Sequence, residues 1–183
     1  MIAKDDYIIV LDFLPHGKPN DRKAEPVAQG IGEKYLNLLE IAAKDEVEIK
    51  SKDRIYVGDD KRDQVKYIRG RIRYSDLTNY AKNMVQDVIT EIVSKDEARF
   101  VNFFNKAGPV TTRLHSLELL PGIGKKHMWG IINDRRRKPF ESFKELHERV
   151  PMLPDPKKMV IKRVMEDLEE TDRYKLFVGN TSL

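Results

Sequence analysis

The chain has 183 residues, 40% hydrophobic and 35% charged, with a formal net charge of +4 at pH 7, a length that admits one ordinary domain or two small ones. The absence of cysteine excludes disulfides, Cys-based zinc sites, iron–sulfur clusters and a thiol nucleophile. No run approaches the ~18 consecutive apolar residues of a membrane span and no signal-peptide pattern opens the chain, so a cytoplasmic protein without a membrane partner is expected.

Residues Tyr7–Leu14 are β-branched and aromatic and end at Pro15-His16-Gly17, which predicts a buried strand. From 15 to 32 the chain is rich in Gly, Pro and charge and reads as an unusually long loop. Tyr35–Ala43 fits a buried strand or a short helix, and the strands that follow favour strand. Val47-Glu48-Ile49 alternates, and Arg54–Val57 leads into a turn at Gly58-Asp59-Asp60. Within 68–74, Ile68, Gly70, Ile72 and Tyr74 share one face of a strand, and Arg69, Arg71 and Arg73 share the other. Short strands with tight turns predict a small OB-like antiparallel β-barrel over residues 1–76.

The period then changes. Thr78 caps a predicted helix with the apolar stripe Ala81, Met84, Val85, Val88 and Ile92. Ser94 and Glu97 form a capping box for a second helix, which buries Phe100, Val101 and Phe104 and stops at Gly108-Pro109. These two helices bridge residues 77–111. Four short helices follow over 112–170, the third capped by Ser142 with Glu145, the fourth by Asp155 with Pro156 at its first position. Lys175–Val178 reads as a strand within a C-terminal segment, 171–183, returning to the N-terminal sheet. The expected class is therefore α+β, a barrel followed by an all-helical unit.

The helical unit holds the chemistry. From Arg113 to Arg163 there are thirteen Lys/Arg against six Asp/Glu, whereas the remainder carries 21 against 24. A basic segment on a slightly acidic body fits a local nucleic-acid footprint. Its centre is Leu120-Pro121-Gly122-Ile123-Gly124-Lys125-Lys126, a hairpin leading into a helix. Gly122 and Gly124 permit positive φ and close approach, and the helix start offers unpaired N–H groups beside Lys125 and Lys126. Leu153-Pro154-Asp155-Pro156 reads as the equivalent place in a second, degenerate unit about 33 residues on. It lacks glycine, so phosphate binding is assigned to the first hairpin alone.

These residues resemble the helix–hairpin–helix nucleic-acid-binding motif, on whose pattern Leu117, Leu120, Pro121, Gly122, Ile123, Gly124, Ile131, Ile132 and Arg135 all fall. The tandem arrangement is similar to domains of nucleases, repair proteins and competence proteins. The resemblance implies that the amides of Gly122, Ile123 and Gly124, with Lys125 and Lys126, bind a backbone phosphate. It also implies a monovalent cation held by hairpin carbonyls. Across its length the chain resembles an archaeal family known as domain of unknown function 655, through Gln29–Leu39, Asp53–Gly58, Arg71–Leu77 and the hairpin. That resemblance implies an OB-like barrel joined to the helical domain and an archaeal source, and supplies no activity.

Arg135, Arg136, Arg137 and Lys138, together with Arg69, Arg71 and Arg73, are expected to support the grip on a phosphate backbone. Trp129 reads as core, and Gly130 as a point of close helix packing. His16, His115, His127 and His147 show no metal-site spacing and are assigned no role. Of the carboxylates following the hairpin, Asp134 and Asp155, the latter is explained as an N-cap, and no catalytic residues, metal or cofactor are assigned. The expected function is non-enzymatic, largely sequence-independent binding of nucleic acid, structured RNA before DNA, in a ribosomal or RNA-processing setting. Two alternatives stand beside it: a DNA-binding accessory protein of repair or replication, and a module docking a ribosomal or other acidic protein partner.

Overall fold

The computed structural model describes residues 4–180. Five strands, β1 (Tyr7–Leu14), β2 (Val27–Gly32), β3 (Leu38–Ala43), β4 (Arg54–Tyr56) and β5 (Val65–Arg71), form one sheet in the order β4-β1-β2-β3-β5 with every neighbouring pair antiparallel. The class is α+β, and the sheet is an antiparallel half-barrel. Bulges in β1 between Val10 and Asp12, and in the β3–β5 ladder, add the twist that curls it. It stops short of closure, because β4 and β5 remain the two edges. A cavity of about 250 Å³ lies there, lined by Asp5, Val57, Ile68 and Gly70 among others.

The expected long loop is shorter than its composition indicated. Residues 27–32 form β2, buried on both faces, so the alternation that marks a half-exposed strand is missing. The alternating Val47–Ile49 is irregular chain instead of a strand, following Glu46 at φ +63°. The rest of the loop is held by a charge cluster. Arg69 bonds Asp21 (3.1 Å), Glu25 (3.0 Å) and Glu40 (3.0 Å), and Lys18 reaches Glu40 at 3.0 Å. Fully buried Gln29 joins this cluster to the start of the helices, donating to Glu40 and to the Asp76 carbonyl and accepting from the Thr78 amide.

Helices α1 (Asn79–Lys95) and α2 (Glu97–Lys106) follow. Thr78 caps α1 as expected, accepting from the Ala81 amide. Ser94 does not cap α2. It lies inside α1 and bonds back to the Thr90 carbonyl, while Asp96 occupies the junction and Glu97 accepts from the Phe143 amide instead. A short hairpin, β6 (Pro109–Thr111) and β7 (Leu114–His115), and a 3-10 turn at Ser116–Leu119 lead to α3 (Lys125–Arg135), α4 (Phe143–Arg149) and α5 (Pro156–Glu169).

One apolar core runs from Leu11, Ile31 and Leu38 on the sheet through α1 and α2 into α3 to α5. A second, smaller core fills the half-barrel around Ile8, Val10, Ile41 and Ile55. Lys175–Val178 is not a strand. It is a turn-rich segment whose amides at Leu176 (2.9 Å), Phe177 (2.7 Å) and Val178 (3.2 Å) all donate to one oxygen of Asp167. Phe177 thereby packs at a tilt on Phe100 and edge-on against Phe103, and the Gly179 amide reaches the Tyr35 carbonyl at 2.7 Å. The segment reaches the turn between β2 and β3 without pairing with a strand, and a carboxylate of α5 pins it in place of a ladder. Residues 181–183 of the expected C-terminal unit lie outside the described residues.

Candidate nucleic-acid interface

Two hairpins lie against each other in the helical part. The first joins the 3-10 turn to α3 and the second joins α4 to α5. Their correspondence is closer than the sequence indicates, but in a different register. Ile123 N–H bonds Leu120 O at 3.2 Å, and Leu153 N–H bonds Val150 O at 3.4 Å. Ile123 and Leu153 are both buried, and the residues before them, Gly122 (φ +87°) and Met152 (φ +64°), both adopt left-handed backbone. The equivalent of Gly122 is thus Met152, thirty residues on, not a position in Pro154-Asp155.

Gly122 shows the positive φ its type permits; Gly124 does not. At φ −94° and ψ 179° it is an extended N-cap with no side chain to fill the helix start. An added Cβ would meet nothing within 4 Å there. The donors of the cradle are accordingly shifted along the chain. The Ile123 amide is used inside the hairpin, and the Gly124 amide donates to Nδ1 of His127 at 3.3 Å. Among the described residues no acceptor meets the amides of Gly122, Lys125, Lys126 or His127, so the open donors are the hairpin tip and the first turn of α3. His127 has a part after all: its Nε2 lies 3.0 Å from the Met152 carbonyl, so the tautomer protonated at Nε2 links both hairpin tips.

The second hairpin offers no such opening. Asp155 caps α5 with a carboxylate oxygen that accepts from Lys157 N–H (3.0 Å) and Lys158 N–H (3.2 Å), occupying the place an anion would take. Hairpin one is open to an anion and hairpin two supplies its own.

The expected cations separate into free and committed ones. Lys125 pairs with Glu118 at 2.9 Å on the surface, a solvent-screened contact that contributes little to stability. The His115 amide and then Lys125 hold the Glu118 carboxyl below its ordinary range, so the pair persists into mild acid. Lys126 is exposed, with no carboxylate partner among the described residues. Arg135 turns inward, donating to the carbonyls of Phe104 (3.1 Å) and Ala107 (2.8 Å) that end α2, and is half-buried with its guanidinium committed to them. Arg136 is exposed, Arg137 pairs loosely with Asp134 (3.3 Å) and Lys138 with Glu141 (3.7 Å). Arg69 is removed from the backbone-tracking face, its charge enclosed by three carboxylates. Arg71 and Arg73 are exposed at the sheet edge, where they line a cleft with Leu168, Glu170 and Lys175 at the end of α5 instead of joining the hairpins.

Three features depart from the sequence reading or go beyond it. Trp129 is 53% exposed, because Met128, Ile131 and Ile132 take the buried side of α3 and Gly130 packs on Val150, whose Cγ1 lies 3.2 Å from where a Cβ would stand. It shares the outer face with Lys125 and Lys126, four and three residues earlier. Lys157 and Lys158 stand in sequence between Pro154 and Met159, the two residues that Gly122 of the first hairpin faces. With Lys162 they line an open groove of about 770 Å³ between α1 and α5. Met152 is 90% exposed at the second tip. Helical periodicity alone places Trp129 opposite Ile131; the other two need the packing of the hairpins.

Replacing Gly122 by alanine is expected to cost about 1–2 kcal/mol, the penalty of a Cβ in left-handed backbone, measured by urea unfolding.

The chain matches the family described as Protein of unknown function (DUF655) over residues 4–179. It is 45% identical over 176 residues to Uncharacterized protein MJ0038 of Methanocaldococcus jannaschii, covering 95% of this chain and 80% of that protein. Its fold is similar to the crystal structure of Af1531 from Archaeoglobus fulgidus, with a TM-score of 0.83 and 43% identity, covering 94% of this chain and 99% of that one. The chain belongs to this family, and both of these relatives are archaeal.

Proposed function

We propose that this member of the family binds nucleic acid without catalysing a reaction on it, gripping one backbone phosphate at the start of α3. The observation that carries this reading is the contrast between the helix starts. The one at α3 is uncapped, glycine-led and flanked by Lys125 and Lys126, whereas the other is closed by Asp155. A non-enzymatic role is preferred because the carboxylates following the hairpin are occupied. Asp134 bonds Arg149 at 2.7 Å and Asp155 caps α5. The contacts are to backbone, so binding is largely independent of sequence.

Structured RNA of the cytoplasm, in a ribosomal or processing setting, is the favoured target. The exposed indole of Trp129 between cations suits unpaired bases, which folded RNA displays and duplex DNA does not. The test is a salt titration of labelled stem-loop RNA, duplex DNA and poly-U. Stem-loop RNA is expected to bind most tightly, with log affinity falling linearly with log salt. Equal or tighter binding of plain duplex DNA transfers the reading to a DNA-binding accessory role. No binding below about 10 µM at low salt rejects nucleic acid, since even non-specific binding reaches the micromolar range; an acidic protein partner is then the reading left.

A further inference from the structure

The second hairpin shares the backbone shape of the first and not its open helix start. Its helix start is filled by Asp155, and the position equivalent to Gly122 carries a methionine in left-handed backbone, φ +64°. A side chain there is strained, and glycine would relieve it. Burial does not explain the choice, because the side chain is 90% exposed, more than Tyr67, Tyr80, Val110 or Trp129. Nor is the tip loosely placed. Its carbonyl meets His127 at 3.0 Å, and the same ring accepts from Gly124 at the open clamp, so one imidazole spaces the apolar tip from the phosphate site.

We infer that Met152 is an apolar wedge, set by His127 at a fixed offset from the phosphate clamp, that packs on the face of an unstacked base in the nucleic acid the clamp holds. The inference rests on the nucleic-acid reading above. The surroundings fix the kind of partner. The exposed cations Lys126 and Lys158 flank the two hairpins, and a surface of cations around a single apolar finger complements a polyanion that exposes flat apolar faces. Methionine fits that task, being unbranched and polarizable and making favourable sulfur–aromatic contacts. Apolar side chains inserted at base steps also mark sites where the helix is bent or interrupted. The protein would then recognise a bulge or helix end by shape, with one hairpin on the backbone and the other on the exposed base.

The test compares a stem-loop RNA carrying a single-nucleotide bulge with the same stem fully paired, using 2-aminopurine beside the bulge as reporter. The wild type is expected to prefer the bulged stem by about tenfold, the upper end of what a sulfur–aromatic contact supplies, and to change the 2-aminopurine signal. Met152→Gly is expected to lose the preference and the signal change while binding the paired stem as before. Met152→Leu, which keeps an unbranched Cβ and an apolar end, is expected to retain most of both. Because glycine suits this backbone, Met152→Gly should melt no lower than wild type, and loss of preference cannot be assigned to unfolding. An unchanged ratio in Met152→Gly overturns the wedge and leaves the clamp standing. Failure of the wild type to bind either stem overturns both.

Discussion

Asp167→Ala is expected to lower the free energy of unfolding by about 3–5 kcal/mol, the cost of stripping a buried charge of its partner. Asp167 is 2% exposed and serves two sets of partners. One oxygen takes three consecutive amides, Leu176 to Val178, and the other takes Arg163 Nε at 3.0 Å. Arg163, equally buried, also donates to the carbonyls of Leu119 and Tyr174 and to Asp172. Alanine would leave a buried guanidinium short of its counter-charge and three amides without an acceptor, and an unpaired buried group costs more than a made bond supplies. The consequence spreads beyond the pair, because those amides hold Phe177 against Phe100 and Phe103 and so tie helices to sheet. Thermal melting should show a fall on the order of 10 °C at this chain length. Asp167→Asn, which keeps the shape and an acceptor oxygen, should cost clearly less. Equal losses for the two variants would mean that the charge carries the whole effect and that shape and a single acceptor oxygen recover none of it.

That network also shows which parts of the structure can be read from the chain. Arg163 and Asp167 sit four apart on one helix, and sequence alone presents them as an ordinary surface pair. Their burial follows from the 171–180 segment folding over them, a long-range event that leaves no local pattern. The same reason explains Arg69. Its alternation with Ile68 and Gly70 places it on one face of β5, but its three carboxylates lie 29 to 48 residues away in sequence. By contrast β1, the Thr78, Ser142 and Asp155 caps and the first hairpin are legible, because each depends on neighbours within a few residues. β2 escapes because burial on both faces erases alternation. Trp129 reads as core by residue type, although the helical period of α3 places it outward. Met152 is hidden because two prolines and a one-residue longer hairpin shift the repeat, and only the shared bonds at Leu120 and Val150 restore the alignment.

The replacement with the largest expected effect on binding is Gly124→Asp, alone and then paired with Lys126→Glu in a double variant. At Gly124 the backbone is extended and the space for a side chain is open, so aspartate can enter without a clash. It would do for α3 what Asp155 does for α5, accepting from the first-turn amides and placing a negative charge at the positive end of the helix. Stability should therefore stay level or rise by a few tenths of a kcal/mol. Binding should move the other way. A carboxylate in the phosphate position repels the ligand, and like charges brought together at an interface cost enough to weaken RNA binding by at least about tenfold. The slope of log affinity against log salt should fall by about 0.7–0.9, the share of one phosphate, and by nearly twice that when Lys126→Glu is added. Lys125→Ala should change the slope less than Lys126→Ala, because Glu118 already holds Lys125. A stable Gly124→Asp variant that binds stem-loop RNA with unchanged affinity and slope would remove the first turn of α3 from the interface. Lys157, Lys158 and Lys162 in the groove beside it would then be the cations to test, since they reach the same side of the molecule through the packing of Gly122 on Pro154 and Met159.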